Sequence, residues 1–543
     1  MAQKKPIRKP NSLPAKYGTK RLALILLGVI LILTALIYVP SLKNGILNGW
    51  DDGLYLQDEY VQHLDQESLS HFFGSFYLGM YQPLAVTSLA IDQQINGHEA
   101  VGYHATNLVL HLLNVFLVFL FIFFLVRKTG IALAVTTLFA VHPMQVETVD
   151  WIAARSTLLF SLFYLSAVIF YLRYLDQKNW KKLAITFIWF LLACFSKPMA
   201  VTLPLILFLL DYYRGRKLNL QVLLEKIPFL VVSVVFAIIS VKAAGTYGHI
   251  ENISSSYTFI DRIFLLSYGI SFYLYKSFLP VNLSVIYSYP FKENHFLPLV
   301  YYFSPILILF LIGLFLRVRK FRKEFIFGIL FFLFSLSPVL PFIWSRIIIV
   351  AERYTYLAYL GIFFIITMSI PKLYERENTS FKKYRPYLSA VLLIVVIWYV
   401  NLTVQRSRVW KDPETLLSNV IDHPHDPATH AYGYYYRANY RDMSGQYNKA
   451  ITDYDEAIRL NPGFTLAYNN RGIVRGTLKD FNGALKDFSK AIELRPDYAD
   501  AWYNLGLANY QVGNSDQACV DWKKAYALGS ASAQQFLRQY CNN

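Results

Sequence analysis

Apolar runs recur from Leu22 to about position 404, and short loops rich in Lys and Arg separate them. Runs of roughly 18 or more apolar residues are candidate membrane spans. With 55% hydrophobic and 17% aromatic residues among 543, and a mean hydropathy of +0.34, the chain is too apolar for a soluble protein of this length. The expected fold class is therefore all-α, a polytopic membrane protein. The net charge of +17 follows from the loops. Lys4 to Arg21, Arg127-Lys128, Arg173 to Lys182, Arg214 to Lys217, Arg317 to Lys323 and Lys372 to Arg385 hold the excess, whereas basic and acidic residues nearly balance after Trp410. Short basic loops mark the cytoplasmic side. The charge thus reports topology, and no nucleic-acid partner is expected.

Residues 1–20 read as a basic cytoplasmic tail and 21–409 as a membrane domain. The first span, Leu22 to Val39, has a basic front and lacks a small-residue cleavage site, so it is expected to be retained. An external loop, 41–102, follows, with interfacial helices expected between Tyr60 and Met80. Further spans are expected at about 103–126, 131–149, 156–173 and 226–244, with two shorter segments, 183–195 and 199–211, around Lys197. If 263–279 crossed as well, five basic residues between Arg317 and Lys323 would lie outside, against the positive-inside rule. The stretch 246–297 is therefore read as a second external segment carrying an embedded or interfacial helix. Spans at about 298–316, 325–343, 354–371 and 386–404 bring the count to about eleven. That number is odd and puts the C-terminal part on the extracytoplasmic side, in a bacterial periplasm or an ER lumen.

Past a linker at 410–430 the composition turns polar and a period of 34 residues begins. Ala450, Ala484 and Ala518 keep that interval, as do Asp453, Asp487 and Asp521, and the aromatics Tyr454, Phe488 and Trp522. Small residues where helices cross, aromatics between them and proline at the turn form the tetratricopeptide (TPR) pattern. Three repeats and a capping helix over 431–543 are expected to stack into an α-solenoid with a concave face.

Ionisable residues gather at the outer boundary. Asp51 and Asp52 sit between Trp50 and Gly53, just past the first span. Asp and Gly favour turns, but a carboxylate here also suits a general base at the membrane surface. His104, Asn107, His111 and Asn114 share one helical face; the asparagines read as inter-helix donors and His104 as a site candidate. His142-Pro143 implies a kink. In a continuous helix Glu147, Trp151 and Arg155 would share a face, so that Glu147 and Arg155 would pair. Lys197 stands at a helix break, suited either to a phosphate oxygen or to snorkelling toward the interface. Arg346 and Arg353 lie at the same boundary, with Glu352 placed to neutralise Arg353. The three cysteines, Cys194, Cys519 and Cys541, show no metal-ligand spacing; Asp51 and Asp52 leave room for a divalent metal between them but lack a third clear ligand, so none is predicted, and no cofactor is expected.

The order of these pieces resembles the transmembrane, TPR-repeat-containing O-mannosyltransferases and their bacterial relatives, of the GT-C class of glycosyltransferases. The resemblance rests on Asp51-Asp52, Tyr81-Gln82-Pro83-Leu84, Tyr103-His104 with Asn107 and His111, His142-Pro143 with Glu147 and Arg155, Lys197, Pro280 to Ser284, Ala351 to Tyr354, and the C-terminal repeats. It implies transfer of a mannose-like hexose from a polyprenyl-phosphate donor to an acceptor hydroxyl, on protein, at the extracytoplasmic face. Under that implication Asp51 or Asp52 is the base and Lys197 and Arg353 contact the donor phosphate. His104, His142, Glu147, Arg155, Arg346 and Glu352 are secondary candidates, apolar grooves hold the lipid tail, and the repeats bind the acceptor or a partner protein. Two other readings are a membrane-anchored TPR scaffold and a lipid or solute transporter. A scaffold needs one span, and transporters place ionisable groups near the midplane, whereas these cluster at one boundary.

An external repeat domain would place Cys519 and Cys541 in an oxidising space. The helix from Ser515 to Leu528 and a final helix from Ala531 to Tyr540 would turn at Gly529-Ser530. Cys519 lies ten residues before Gly529 and Cys541 eleven after Ser530, level in an antiparallel pair, so a disulfide is expected.

Overall fold

The computed structural model describes residues 17–246, 257–292, 294–317, 322–342, 348–374, 379–423 and 426–541. Helices dominate throughout, and the only β contacts among the described residues are the isolated bridges Tyr77–Met80 and Ser288–Ile348. The helices, in chain order, are α1 Tyr17–Tyr38, α2 Asp51–Leu56, α3 Glu59–Gln62, α4 Gln66–Gly74, α5 Pro83–Asn96, α6 Ala100–Val126, α7 Thr129–Val141, α8 Val146–Asp150 and α9 Arg155–Gln177. Then come α10 Trp180–Ser196, α11 Leu203–Arg214, α12 Leu220–Thr246, α13 Phe259–Lys276, α14 Leu299–Arg317, α15 Arg322–Leu336, α16 Thr355–Tyr374 and α17 Thr379–Val409. After them, α18 Pro413–Asp422 leads into α19 Pro427–Met443, α20 Tyr447–Leu460, α21 Thr465–Thr477, α22 Phe481–Leu494, α23 Ala499–Gln511, α24 Ser515–Ala527 and α25 Ala531–Tyr540.

Among the described residues, five helical stretches are long and apolar enough to cross a membrane: Arg21–Lys43, Ala100–Val126, Ile152–Gln177, Leu220–Thr246 and Ser389–Val409. The pair α7 and α8, bent by 61° at His142-Pro143, makes a sixth if counted as one broken span. Proline has no N–H to continue the helix, and the His142 imidazole instead accepts the Met144 N–H at 3.3 Å. Lys197 ends α10 in an extended conformation, which divides α10 from α11 as the two short segments anticipated. In α13, Asp261, Arg262 and Lys276 set the helix apart from the candidate spans.

A single apolar core runs through α6, α7, α9, α10, α11, α15 and α16. Exposed Leu, Ile, Val and Phe cover the outward faces of α1, α12, α14 and α17, as contact with lipid tails requires. Helices α15 and α16 approach closely at Gly328 and Gly361, where a Cβ on Gly361 would lie 2.2 Å from the Gly328 carbonyl. Asn107 donates to the carbonyls of Val149 and Trp151 at 3.2 and 2.9 Å, and Asn114 to Leu158 at 3.0 Å. Both are inter-helix donors, as the sequence indicates.

Helices α19 to α24 form three helix pairs with α25 packed on the last. Ala450, Ala484 and Ala518 are buried at the crossings, with Tyr454, Phe488 and Trp522 beneath them. The 34-residue period extends to charge: Asp453 accepts from Arg437 and Arg441, and Asp487 from Arg471 and Arg475. In the third repeat Asn509 replaces the arginines on Asp521, at 2.8 Å. Cys519 and Cys541 are joined by a disulfide, with their α-carbons 5.7 Å apart, which ties α25 to α24. Residues 410–430, read as a linker, contain α18, whose Leu416, Leu417 and Val420 are buried in the membrane domain's core.

Candidate active site

The loop that follows α1 turns at Gly49, in the left-handed region at φ +80°. Trp50 is extended before α2, so Asp51 and Asp52 fall in the first helical turn. The two carboxylates then part. Asp52 is buried; its Oδ1 accepts the Ala153 N–H at 2.8 Å and its Oδ2 the Leu47 N–H at 3.2 Å. Burial pushes its carboxyl up to about 7, against the lowering by those two N–H groups. Asp52 thus ties the loop to the corner between α8 and α9. Asp51 accepts no hydrogen bond among the described residues; burial raises its pKa and the Arg353 guanidinium lowers it.

Arg353 precedes α16. Its backbone N–H donates to Glu147 Oε2 at 2.8 Å, and its guanidinium pairs with Glu147 Oε1. The guanidinium lies 5.0 Å over the Trp151 ring and 5.1 Å over Tyr354. Lys197 is buried, and its Nζ donates to Thr157 Oγ1 at 2.5 Å. Thr157 and Arg353 line one cleft together with Tyr164, Thr202 and Tyr356. Of the two cations chosen from sequence, Arg353 lines this cleft itself and Lys197 is linked to it through Thr157, while Asp51 feels the Arg353 charge.

Two pairings differ from expectation. Glu147 does not pair with Arg155, because Trp151 is extended and the helix restarts at Arg155. Arg155 instead lies buried against Asp92 Oδ2 at 2.7 Å, Ser88 Oγ at 2.9 Å and the Tyr103 carbonyl at 2.9 Å, and also donates to Asn107. It clamps α5 onto α6 and α9, too enclosed to meet a substrate. Glu352 does not neutralise Arg353. Its Oε1 accepts from Arg406 at 2.9 Å and from the Tyr287 hydroxyl at 3.2 Å. Burial pushes the Glu352 carboxyl up, and the Arg406 charge opposes this.

The histidines are enclosed. His104 is buried against the Asn44–Gly45 backbone without a hydrogen bond of normal geometry. His142 is ringed by Tyr359, Phe363 and Tyr399, with Nε2 3.4 Å from the Ser277 carbonyl. Arg346 lies outside the described residues. Among the described residues, no three His, Cys, Asp or Glu side chains gather as a metal-binding group.

Sequence reasoning missed Arg406, Asp92 and the aromatic chain beside Asp51. Trp50 meets Trp151 edge-on at 6.4 Å and Tyr436 of α19 at 5.3 Å, and Trp151 lies 6.1 Å from Trp410. An arginine at the end of an apolar run, such as Arg406, is a readable signal for a buried partner; the aromatic chain carries none.

A TPR-repeat family model matches residues 443–479 and 477–513. The chain is 24% identical over 509 residues to the protein O-mannosyl-transferase TMTC1 of Homo sapiens, covering 81% of this chain and 53% of that protein. It is 34% identical over 133 residues to the protein O-mannosyl-transferase Tmtc1 of Drosophila melanogaster, covering 24% of this chain and 16% of that one. The Arabidopsis OM64 TPR domain is 24% identical and covers 21% of this chain and 96% of that chain, with a TM-score of 0.21. The chain spans about half the length of the human relative. Over most of its length, and with TPR repeats of its own, the chain is similar to the protein O-mannosyl-transferases.

Proposed function

We propose that the chain is a membrane glycosyltransferase that moves a mannose-like hexose from a polyprenyl-phosphate donor to a hydroxyl on a protein, at the extracytoplasmic face. The observation that carries this reading is the pairing of opposite functions at one corner: an Asp51 carboxylate that accepts no hydrogen bond among the described residues, near Arg353, on a cleft shared with Thr157, the hydroxyl held by Lys197. The similarity to proteins named O-mannosyl-transferases supports the same chemistry.

In this reading the acceptor hydroxyl loses its proton to Asp51 as its oxygen forms a bond to the anomeric carbon. The bond from that carbon to the phosphate oxygen breaks, and its electron pair leaves with polyprenyl phosphate. A positioned carboxylate supplies the first step. Preorganised cations stabilise the second, where charge grows on the phosphate; Arg353, fixed at two points by Glu147, is such a cation. Asp52 holds the loop in place. The repeats hold the acceptor or a protein that delivers it.

The test is incubation of the purified chain in detergent or vesicles with labelled polyprenyl-phosphate mannose, glucose or N-acetylglucosamine and Ser/Thr-containing protein acceptors. Alkali-labile label on protein, from the mannose donor above the others, is the expected result. Absence of transfer from every lipid-linked sugar overturns the reading.

A further inference from the structure

The repeat unit does not hang from the membrane domain by its connecting segment alone. Three contacts join α19 to the membrane domain, two of them at the residues just before Asp51. The Ser288 N–H donates to Thr429 Oγ1 at 3.1 Å. The Tyr436 ring lies 5.3 Å from Trp50 at an angle of 30°. At the far end of α19, a Cβ on Gly49 would lie 3.0 Å from Met443 Sδ, so the turn before Asp51 rests on that side chain. Helix α18 secures the root of α19: a Cβ on Gly433 would lie 3.0 Å from a Val420 methyl, and Val420 is buried in the membrane core.

The consequence is chemical as well as mechanical. From Tyr436 the contacts run to Trp50, then to Trp151, whose face carries the Arg353 guanidinium at 5.0 Å. Trp50 directly precedes Asp51, and Trp151 lies two residues before Ala153, whose N–H holds Asp52. One aromatic chain thus touches the carboxylate loop and the cation on Glu147. A side chain that fixes such geometry strongly affects turnover, because small misplacements of reacting groups cost large factors in rate.

We propose that the first repeat helix braces the transfer site and that Tyr436 is a positioning residue for Asp51. This rests on the reading of Asp51 as the base. The repeat unit is then part of the catalytic body, and its first helix sets turnover even for an acceptor too short to engage the remaining repeats.

The experiment uses the full chain with Tyr436→Ala, Tyr436→Phe and, from the other side of the contact, Trp50→Leu. Hydrogen exchange is followed in the peptide 47–56. Transfer is followed with labelled polyprenyl-phosphate mannose and a short threonine peptide. Tyr436→Ala should speed exchange in 47–56 and lower kcat about tenfold or more with KM for the peptide unchanged, while Tyr436→Phe, which keeps the ring, stays near wild type. If Tyr436→Ala unfolds the repeats, seen as a lost thermal transition, Trp50→Leu takes its place with the same expectation. Unchanged exchange in 47–56 overturns the proposal whatever the rates, as does an effect on KM alone. A wild-type chain that transfers no sugar refutes the glycosyl-transfer reading, and the exchange measurement then decides the positioning role by itself.

Discussion

Glu147 holds Arg353 twice, across 206 residues of sequence, accepting the backbone N–H at 2.8 Å on one oxygen and pairing with the guanidinium on the other. The pair is nearly enclosed, with side-chain exposures of 16% for Arg353 and 1% for Glu147. Removing one partner of a buried pair leaves an uncompensated charge at a cost of about 3–5 kcal/mol. Glu147→Gln and Arg353→Met should each lower the melting temperature, and the double variant should lose clearly less than the two losses added. Arg353→Met should also weaken donor binding. Strictly additive losses would contradict the pairing.

Stability should depend on pH through Asp52. Its folded pKa, about 7, lies above the ordinary carboxylate value of 3.8, because burial disfavours the charged form. The folded state therefore binds more protons than the unfolded state between these values, and stability falls as pH rises through that window. A shift of this size corresponds to about 4 kcal/mol, fully lost above pH 7. Asp52→Asn offers only one acceptor oxygen to two N–H groups and should cost about 1–3 kcal/mol near pH 4. Its deficit against wild type should be largest near pH 4 and shrink or reverse by pH 8, read from melting temperatures across the range.

The disulfide between Cys519 and Cys541 closes a loop with a sequence separation of 22. In the chain-entropy model such a loop contributes on the order of 3 kcal/mol. Reduction, or Cys541→Ser, should lower the melting transition of the repeat unit and leave that of the membrane domain unchanged. Mass spectrometry of non-reduced protein taken from the membrane should find both thiols oxidised.

Topology is open to a direct check. Glu99, Lys178 and Asn514 are exposed. Cysteines placed at 99 and 514 should react with an impermeant thiol reagent in intact cells, and one at 178 should be protected. The remaining native thiol, Cys194, is buried and adds no background. Labelling at 178, or protection at 514, would invert the assignment.

Much of this architecture was legible because it is written in local patterns. Apolar runs, the break at His142-Pro143, the interruption at Lys197 and the 34-residue period each report on neighbours within a few turns of helix. Pairing was less legible. Glu147, Trp151 and Arg155 share a face only if the helix continues; the extended Trp151 breaks it and hands Glu147 to Arg353, a residue from the other end of the domain. Adjacent Asp51 and Asp52 were indistinguishable in sequence, since what separates them is two N–H groups from Leu47 and Ala153 that only the fold brings to Asp52. The contact of Tyr436 with Trp50 joins two domains, and neither residue's surroundings in sequence point to it.

Asp51 as the base that takes the acceptor's proton is the central claim, and single-turnover transfer by Asp51→Asn tests it most directly. Donor binding is measured separately, so that a lost cation contact is not mistaken for lost base catalysis. Asp51→Asn should bind polyprenyl-phosphate mannose as the wild type does and transfer it about 10²–10⁴-fold more slowly. In the wild type, the acidic limb of the rate profile should lie above the ordinary carboxylate value, because burial raises the Asp51 pKa, and that limb should be missing from the residual activity of the variant. Wild-type transfer by Asp51→Asn, with donor binding intact, would remove Asp51 as the base.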